Sequence, residues 1–112
     1  MAYIPELLAT EEVLASAYDL STGKSVFVST DLSDYSKINL QFSYTNVNGE
    51  NVFVVEQSND NISWIAISEQ YDFINGSGTF AIDKSQFTSK YVRVDLTTAT
   101  AGALTINLLA KR

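Results

Sequence analysis

The chain contains no cysteine and no histidine among its 112 residues. Without cysteine it can form no disulfide, no thiolate metal site and no cysteine nucleophile. Without histidine it lacks the commonest general base and metal ligand, so neither a Ser-His-Asp triad nor the usual catalytic zinc site can be built. We therefore expect a protein that is not an enzyme, with no catalytic residue, no metal site and no cofactor.

Basic residues are scarce as well. Seven lysines and arginines against 13 acidic residues give a net charge of −6, which disfavours nucleic acid and anionic membranes as partners, since phosphate binding needs a basic surface. No apolar run approaches the roughly 20 residues that span a bilayer. The opening MAYIPELLATEE has no basic region and carries acidic residues, so we expect no signal peptide and assembly from a cytoplasm.

The length predicts one domain, because about 110 residues can bury roughly two-thirds of the unfolded surface. Residues 1–12 are predicted to be an N-terminal arm, with Pro5 suited to the first turn of a short helix. A longer helix running through Leu14 is the alternative. We prefer a strand from about Val13 to Leu20, which leaves residues 13–112 as the single domain.

Strict alternation of apolar and polar residues marks several strands. Between Lys37 and Thr45 every second residue is apolar, which is typical of a half-buried antiparallel strand. Two later segments have the same period. The predicted inward residues of all three are Ile38, Leu40, Phe42 and Tyr44, then Val92, Val94 and Leu96, and finally Leu104, Ile106 and Leu108.

Turn signals separate these strands. Asn48-Gly49 is the pair preferred in a type I′ hairpin, so the Lys37–Thr45 strand is predicted to pair with the run from Val52 to Gln57. That run is apolar on both faces for four residues and is predicted to be central. About seven or eight short strands at this spacing predict an all-β sandwich or barrel.

The segment from Ser58 to Asn61 is predicted to be a tight turn, although its clustered oxygens are also ligands that calcium accepts. Trp64 follows the turn, and its apolar neighbours favour a core position over a sugar-stacking one. Arg93 is predicted to be a surface cation that pairs with Asp95 or with an acidic residue of a neighbouring strand.

The combination of Gln57-Ser58-Asn59-Asp60, then Trp64, with the strand Lys90–Val94 resembles the discoidin-type (coagulation factor 5/8 C-like) β-sandwich. In that fold a tryptophan follows such a turn and a later YVRV strand lies in the same core. The chain is also similar to compact bacteriophage virion proteins, through DLSDYS at residues 31–36 and GALTINLLAK at residues 102–111. The resemblance covers most of the chain from Asp31 to Lys111, although the chain lacks the bracketing cysteines of extracellular discoidin domains.

The resemblance implies an antiparallel β-sandwich of jelly-roll or discoidin type and a non-enzymatic virion protein, above all a capsid decoration or auxiliary protein. The implied partners are the major capsid protein or other virion subunits, with a homo-oligomer possible, and the implied location is the virion. The alternative function is a carbohydrate-binding module, or a fibre or tail component for host attachment. In that case glycan is the ligand, and Tyr71 and Phe73 would have to point outward.

The apolar residues of the arm provide the candidate partner contacts. Tyr3, Ile4, Leu7 and Leu8 are predicted to touch a neighbouring subunit, because so apolar a terminal segment otherwise lacks a partner. Folding of the arm back over its own sandwich is an equally good interpretation of these residues.

Overall fold

Nine antiparallel strands build the described part of the chain, residues 9–73 and 75–112 of a computed structural model. The strands are β1 (Ala9–Asp19), β2 (Ser25–Val28), β3 (Lys37–Asn48), β4 (Val52–Ser58), β5 (Ile65–Ala66), β6 (Tyr71–Asp72), β7 (Gly76–Lys84), β8 (Tyr91–Thr98) and β9 (Ala101–Lys111). A single 3₁₀ turn, Leu20–Thr22, follows β1. The proposed contact residues Tyr3, Ile4, Leu7 and Leu8 lie outside the described residues.

The strands form two packed sheets. Sheet I has the order β1-β9-β3-β7, and sheet II has the order β2-β8-β4-β5, with β6 also beside β4. Every pairing between strands is antiparallel. The predicted β-sandwich class is therefore confirmed, and the count exceeds the prediction because β5 and β6 have only two residues each.

The predicted inward faces form the core. Ile38, Leu40 and Phe42 of β3 are buried, as are all three predicted residues of β8 and all three of β9. Tyr44 is half-buried and packs against the same cluster. Phe42 of sheet I stacks on Phe53 of sheet II with ring centroids 4.5 Å apart, so the two layers meet through aromatic contacts.

The first strand begins at Ala9, four residues before the predicted start, so residues 9–12 belong to β1 and not to the arm. Its pairing with β9 is interrupted twice, between Val13 and Ala15 and between Ala15 and Tyr18. Ala17 has a positive φ of 48° at the second interruption. These bulges explain why the simple period of two does not describe this strand.

The predicted β3–β4 hairpin is wrong, because β3 lies in sheet I and β4 lies in sheet II. Positive φ angles occur at Asn46 (51°) and Gly49 (80°) and not at Asn48, so the type I′ geometry is absent. The connection crosses between the layers instead, around the buried side chain of Asn51. The Asn51 amide donates to the carbonyl of Asn48 at 3.1 Å and its oxygen accepts the Thr100 N–H at 2.7 Å.

Candidate functional site

The outer face of sheet II combines charged and apolar side chains. In the strand register Arg93 lies between Val28 of β2 and Glu56 of β4, and Asp95 lies between Val26 and Val54. Directly opposed residues of an antiparallel pair share one face. We call this surface the charged face; it comprises Val26, Val28, Val54, Glu56, Arg93 and Asp95, together with Trp64, which packs on Arg93.

Arg93 is the centre of the charged face. Its Nε donates to Oε1 of Glu56 at 2.7 Å, and the two side chains are only 21% and 16% exposed. The prediction that Arg93 pairs with an acidic residue of a neighbouring strand is confirmed, and the partner is Glu56 of β4. A charge-assisted hydrogen bond held this far from water is stronger than an ordinary surface pair.

The predicted core position of Trp64 is wrong. It is half-buried, and the Cζ atom of Arg93 lies 4.4 Å from the centroid of its ring. The reason is that β5 is a two-residue strand at the border of sheet II, and its neighbours Ile62 and Ile65 are exposed. Trp64 therefore fixes the guanidinium from outside the sandwich through a cation–π contact.

Asp95 is the second carboxylate of the charged face, and its pKa is shifted. Partial burial and then the negative charge of Glu56 raise the pKa of Asp95 above the ordinary aspartate value of 3.8, against the opposing effect of Arg93 and Lys24. Glu56 therefore binds the guanidinium of Arg93 directly, whereas Asp95 is affected by the charges of both residues. A carboxyl whose pKa is raised by burial beside another carboxylate is a feature found at functional sites more often than elsewhere on a surface.

Two valines border this charged centre on the side of β2. Val26 is 46% exposed and Val28 is 37% exposed, although Phe27 between them packs against the core. The strand is therefore apolar on both faces, as β4 is through Val54. Apolar residues around a partly desolvated Arg–Trp contact resemble the anatomy of a protein-binding hot spot.

The turn after β4 is held by its own side chains. One carboxylate oxygen of Asp60 accepts the N–H groups of Ile62 and Ser63 and the hydroxyl of Ser58, at 2.8–2.9 Å. The Ser63 and Ile62 N–H groups, followed by the Ser58 hydroxyl, lower the pKa of Asp60. The predicted turn is confirmed, and the side-chain oxygens of Asp60 and Ser58 hold it through these hydrogen bonds.

The two aromatic residues offered for sugar stacking behave differently from what that function would need. Phe73 is buried and packs on Phe53 at 5.2 Å. Tyr71 is 36% exposed, but one face of its ring is stacked on Phe53, with an angle of 17° between the planes. The carbohydrate-binding alternative required both side chains to point outward; Phe73 does not meet that condition and Tyr71 meets it only in part, so this alternative loses its main support.

The outer face of sheet I is mainly polar, with Val13 of β1 and Leu109 of β9 as its large apolar residues. Gln41 and Asn107 lie opposite each other on β3 and β9, and Asn39 donates to Asp83 of β7 at 3.2 Å. These residues, with Glu11 and Val13 of β1, line two adjoining depressions of about 510 and 350 Å³. No aromatic side chain lines either depression.

Neither a metal-binding cluster nor a membrane-spanning helix occurs among the described residues. Residues 9–73 and 75–112 contain no group of three or more metal-ligating side chains that could hold an ion. Within the same ranges no helix has the length and apolar character needed to cross a bilayer.

Comparison with known proteins finds structural similarity alone. No protein-family model matches the chain, and no curated protein matches its sequence. The SPBc2 prophage-derived protein YomS superimposes with a TM-score of 0.66 at 10% identity, covering 93% of each chain. The PBSX exported protein XepA gives 0.65 at 15% identity, over 91% of this chain and 37% of XepA.

A third match is the K2 cleaved adhesin domain of Lys-gingipain, with a TM-score of 0.60 at 10% identity over 80% of this chain and 64% of the adhesin chain. What these proteins share is the fold. At such identities the similarity assigns no activity and transfers no residue.

Proposed function

We propose that the chain is a non-enzymatic structural protein of a bacteriophage particle, which decorates the outer shell by binding the major capsid protein. The observation that carries this proposal is the charged face of sheet II. Its carboxylates belong to a network with Arg93 and Trp64 on the outside of a sheet, an arrangement suited to binding another surface.

The exposed valines of sheet II are a second observation that supports binding. Exposed valines on β2 lie next to side chains whose charges are partly withdrawn from water. Covering this face would remove the valines from water and would strengthen the Arg93–Glu56 hydrogen bond by lowering the local dielectric. A shell protein offering an apolar surface with a basic side chain beside Asp95 would satisfy both requirements.

The fold supports a phage origin. The proteins that superimpose on most of this chain include one described as prophage-derived, YomS, and the XepA protein of PBSX. They agree with the resemblance of DLSDYS and GALTINLLAK to compact virion proteins. An adhesin domain also shares the fold, so attachment to a surface is a role the architecture can serve.

The N-terminal arm is the second proposed contact. Tyr3, Ile4, Leu7 and Leu8 precede β1, which begins at Ala9 on the border of sheet I. We place these four residues against a neighbouring virion subunit. A variant lacking residues 2–8 leaves β1 intact and tests this contact separately from the charged face.

The test of this function is quantitative peptide mass spectrometry on purified particles, counting this chain against the main shell protein. We expect a ratio of the same order as the shell subunit. A ratio far below it would replace decoration by a fibre, tail or vertex position, and glycan binding would become the next assay. Complete absence from particles would contradict the virion assignment.

A binding measurement then locates the contact. Particles lacking the chain are mixed with the wild-type protein, with W64A and with Q41A, and bound protein is counted after sedimentation. We expect W64A to bind at least about tenfold more weakly, since tryptophan at the centre of an interface commonly contributes 2 kcal/mol or more. Q41A, on the outer face of sheet I, is the matched control and should bind like wild type.

A further inference from the structure

We propose that the edge of β7 is a self-association surface, which pairs antiparallel with β7 of a second copy of this chain. The two copies of sheet I then form one continuous sheet of eight strands. This inference is independent of the proposed virion role, because it concerns how the chain meets its own copies in solution.

The four borders of the sandwich differ in how they are protected. On β1, two bulges and the positive φ of Ala17 interrupt the edge. Glu12 of the same strand accepts hydrogen bonds from the N–H and hydroxyl of Thr30 at 3.1–3.2 Å, which ties this border to the end of β2. Bulges, charges and short strands are the usual devices against edge-to-edge pairing.

Sheet II is protected by short strands. Its outer strands are β2, with four residues, and β5 and β6, with two residues each. Between β5 and β6, the Ile67 N–H donates to the Val55 carbonyl at 2.8 Å and the Ser68 hydroxyl accepts the Val55 N–H at 2.9 Å. The border of β4 is therefore already occupied at this point.

β7 is the least protected of the four borders, because its charged residues, Asp83 and Lys84, lie together at one end and the irregularity of its pairing lies at the other, at Gly76. It has nine residues without proline, and its pairing with β3 is regular from Lys84 to Gly78. Within residues 9–73 and 75–112 it pairs with β3 alone. Its outward side chains are small at Ser77, Thr79 and Ala81, so nothing bulky limits the approach of another strand.

Partly covered apolar side chains lie along the same border. Phe80 and Ile82 of β7 are half-buried, whereas their β3 partners Phe42 and Leu40 are fully buried. The ring of Phe80 stacks 4.9 Å from Phe42 and lies 6.1 Å from the exposed Tyr71 on the facing sheet. Another strand beside β7 would extend this aromatic layer and cover it from water.

The charges of β7 favour a second copy as the occupant. An antiparallel pair centred on Phe80 places Thr79 opposite Ala81 of the second copy, and Ser77 opposite Asp83. Lys84 then lies opposite Gly76, so no two like charges face each other in this register. β1, by contrast, carries Glu11, Glu12 and Asp19 and no basic residue, so its self-pairing would bring carboxylates together.

The first test uses engineered cysteines, because the native chain has none. In the proposed register T79C/A81C places each new cysteine opposite one of the second copy, with Cα atoms about 4.5–5.5 Å apart, within disulfide range. We expect a covalent dimer on mild oxidation. E11C/V13C is the control, with the same spacing on the other border of sheet I, and should stay monomeric.

The second test uses charge at the same two positions, measured by sedimentation equilibrium. T79K/A81K places lysine opposite lysine twice, whereas T79K/A81E places lysine opposite glutamate twice. Cross-strand charge pairs of about 0.2–1 kcal/mol each predict a dimer roughly two- to thirtyfold weaker than wild type for the first variant, and no weaker than wild type for the second. In both variants the substituted residues lie opposite the same β3 residues, Ser43 and Gln41. Thermal melts then check that the two variants fold equally well.

The cysteine and charge tests together distinguish a β7 dimer from its absence. Cross-linking of T79C/A81C alone, together with weakening in T79K/A81K and recovery in T79K/A81E, supports the β7 dimer. A wild-type chain that is monomeric throughout the concentration series overturns it. Equal cross-linking of the two cysteine pairs, or equal association of the two charge variants, overturns it as well.

Discussion

The two sheets share one core but present different outer faces. On sheet I the outward residues of β3 and β9 are mainly polar, such as Gln41 and Asn107, and Leu109 is their large apolar exception. On sheet II the outward residues include two exposed valines and a carboxylate with a raised pKa. Sheet II thus combines exposed apolar residues with partly buried charges on one face, and this combination is the one that the proposed contact would use.

This difference is visible in the strand patterns. β3 and β9 alternate strictly, because one side of each faces the core and the other faces solvent. β2 and β4 are apolar on both sides, through Val26 and Val28 and through Val54. The proposed contact with another surface would cover the outward valines of these strands.

Replacement of Arg93 should produce the largest contrast between the faces. R93A removes the hydrogen bond to Glu56 and the contact with Trp64, and it leaves two neighbouring carboxylates without their central cation. We expect a loss of about 1–3 kcal/mol in the free energy of unfolding, measured by urea denaturation at pH 7.

The matched variants make this result specific. Q41A, on the outer face of sheet I, should change stability by less than about 0.5 kcal/mol. R93K keeps the charge but loses the planar donor group that stacks on Trp64, so its stability should lie between those of wild type and R93A. A loss in Q41A as large as that in R93A would remove the proposed difference between the faces.

Replacement of Asp95 should have a smaller effect in the opposite direction. The pKa of Asp95 is raised in the folded state, so between the unfolded and folded pKa values the native protein binds more protons and stability falls as pH rises. The penalty is fully present above the folded pKa, where Asp95 is ionised in both states. D95N removes it, and should stabilise the protein by about 0.2–1 kcal/mol, the usual range of partly exposed charge interactions.

A pH series tests the cause of this gain. The advantage of D95N should disappear as pH falls below the ordinary aspartate value of 3.8, where the carboxyl is protonated in both states. Asp60 behaves oppositely, because hydrogen bonds lower its pKa and its contribution is lost on acidification. A D95N advantage that is constant between pH 3 and pH 7 would contradict the electrostatic account.

The core could be predicted from the sequence because burial follows a period of two along long strands. Ile38, Leu40 and Phe42 show this directly. The β3–β4 connection could not be predicted in this way, because the dipeptide Asn48-Gly49 is only a local signal. The crossing between sheets depends on the hydrogen bond between Asn51 and Thr100, which lies 49 residues further along the chain. The position of Trp64 could not be predicted for the same reason, since it depends on a contact with Arg93 on another strand.

The smallest effect on folding should be accompanied by a clear effect on binding. Val26 and Val28 are exposed on β2, and threonine retains their shape and their preference for strands. We expect V26T/V28T to unfold within about 0.5 kcal/mol of wild type. Its binding to particles that lack the chain should weaken severalfold, because two apolar side chains on the charged face become polar.

The comparable residue on the other sheet provides the control. Val13 is 60% exposed on β1, so V13T makes the same chemical change on the outer face of sheet I. If exposed valines mattered only for solubility, V13T and V26T/V28T would both bind particles like wild type. Weaker binding of V26T/V28T alone would show that the valines of sheet II belong to a contact surface, since neither substitution alters the core from which both faces are built.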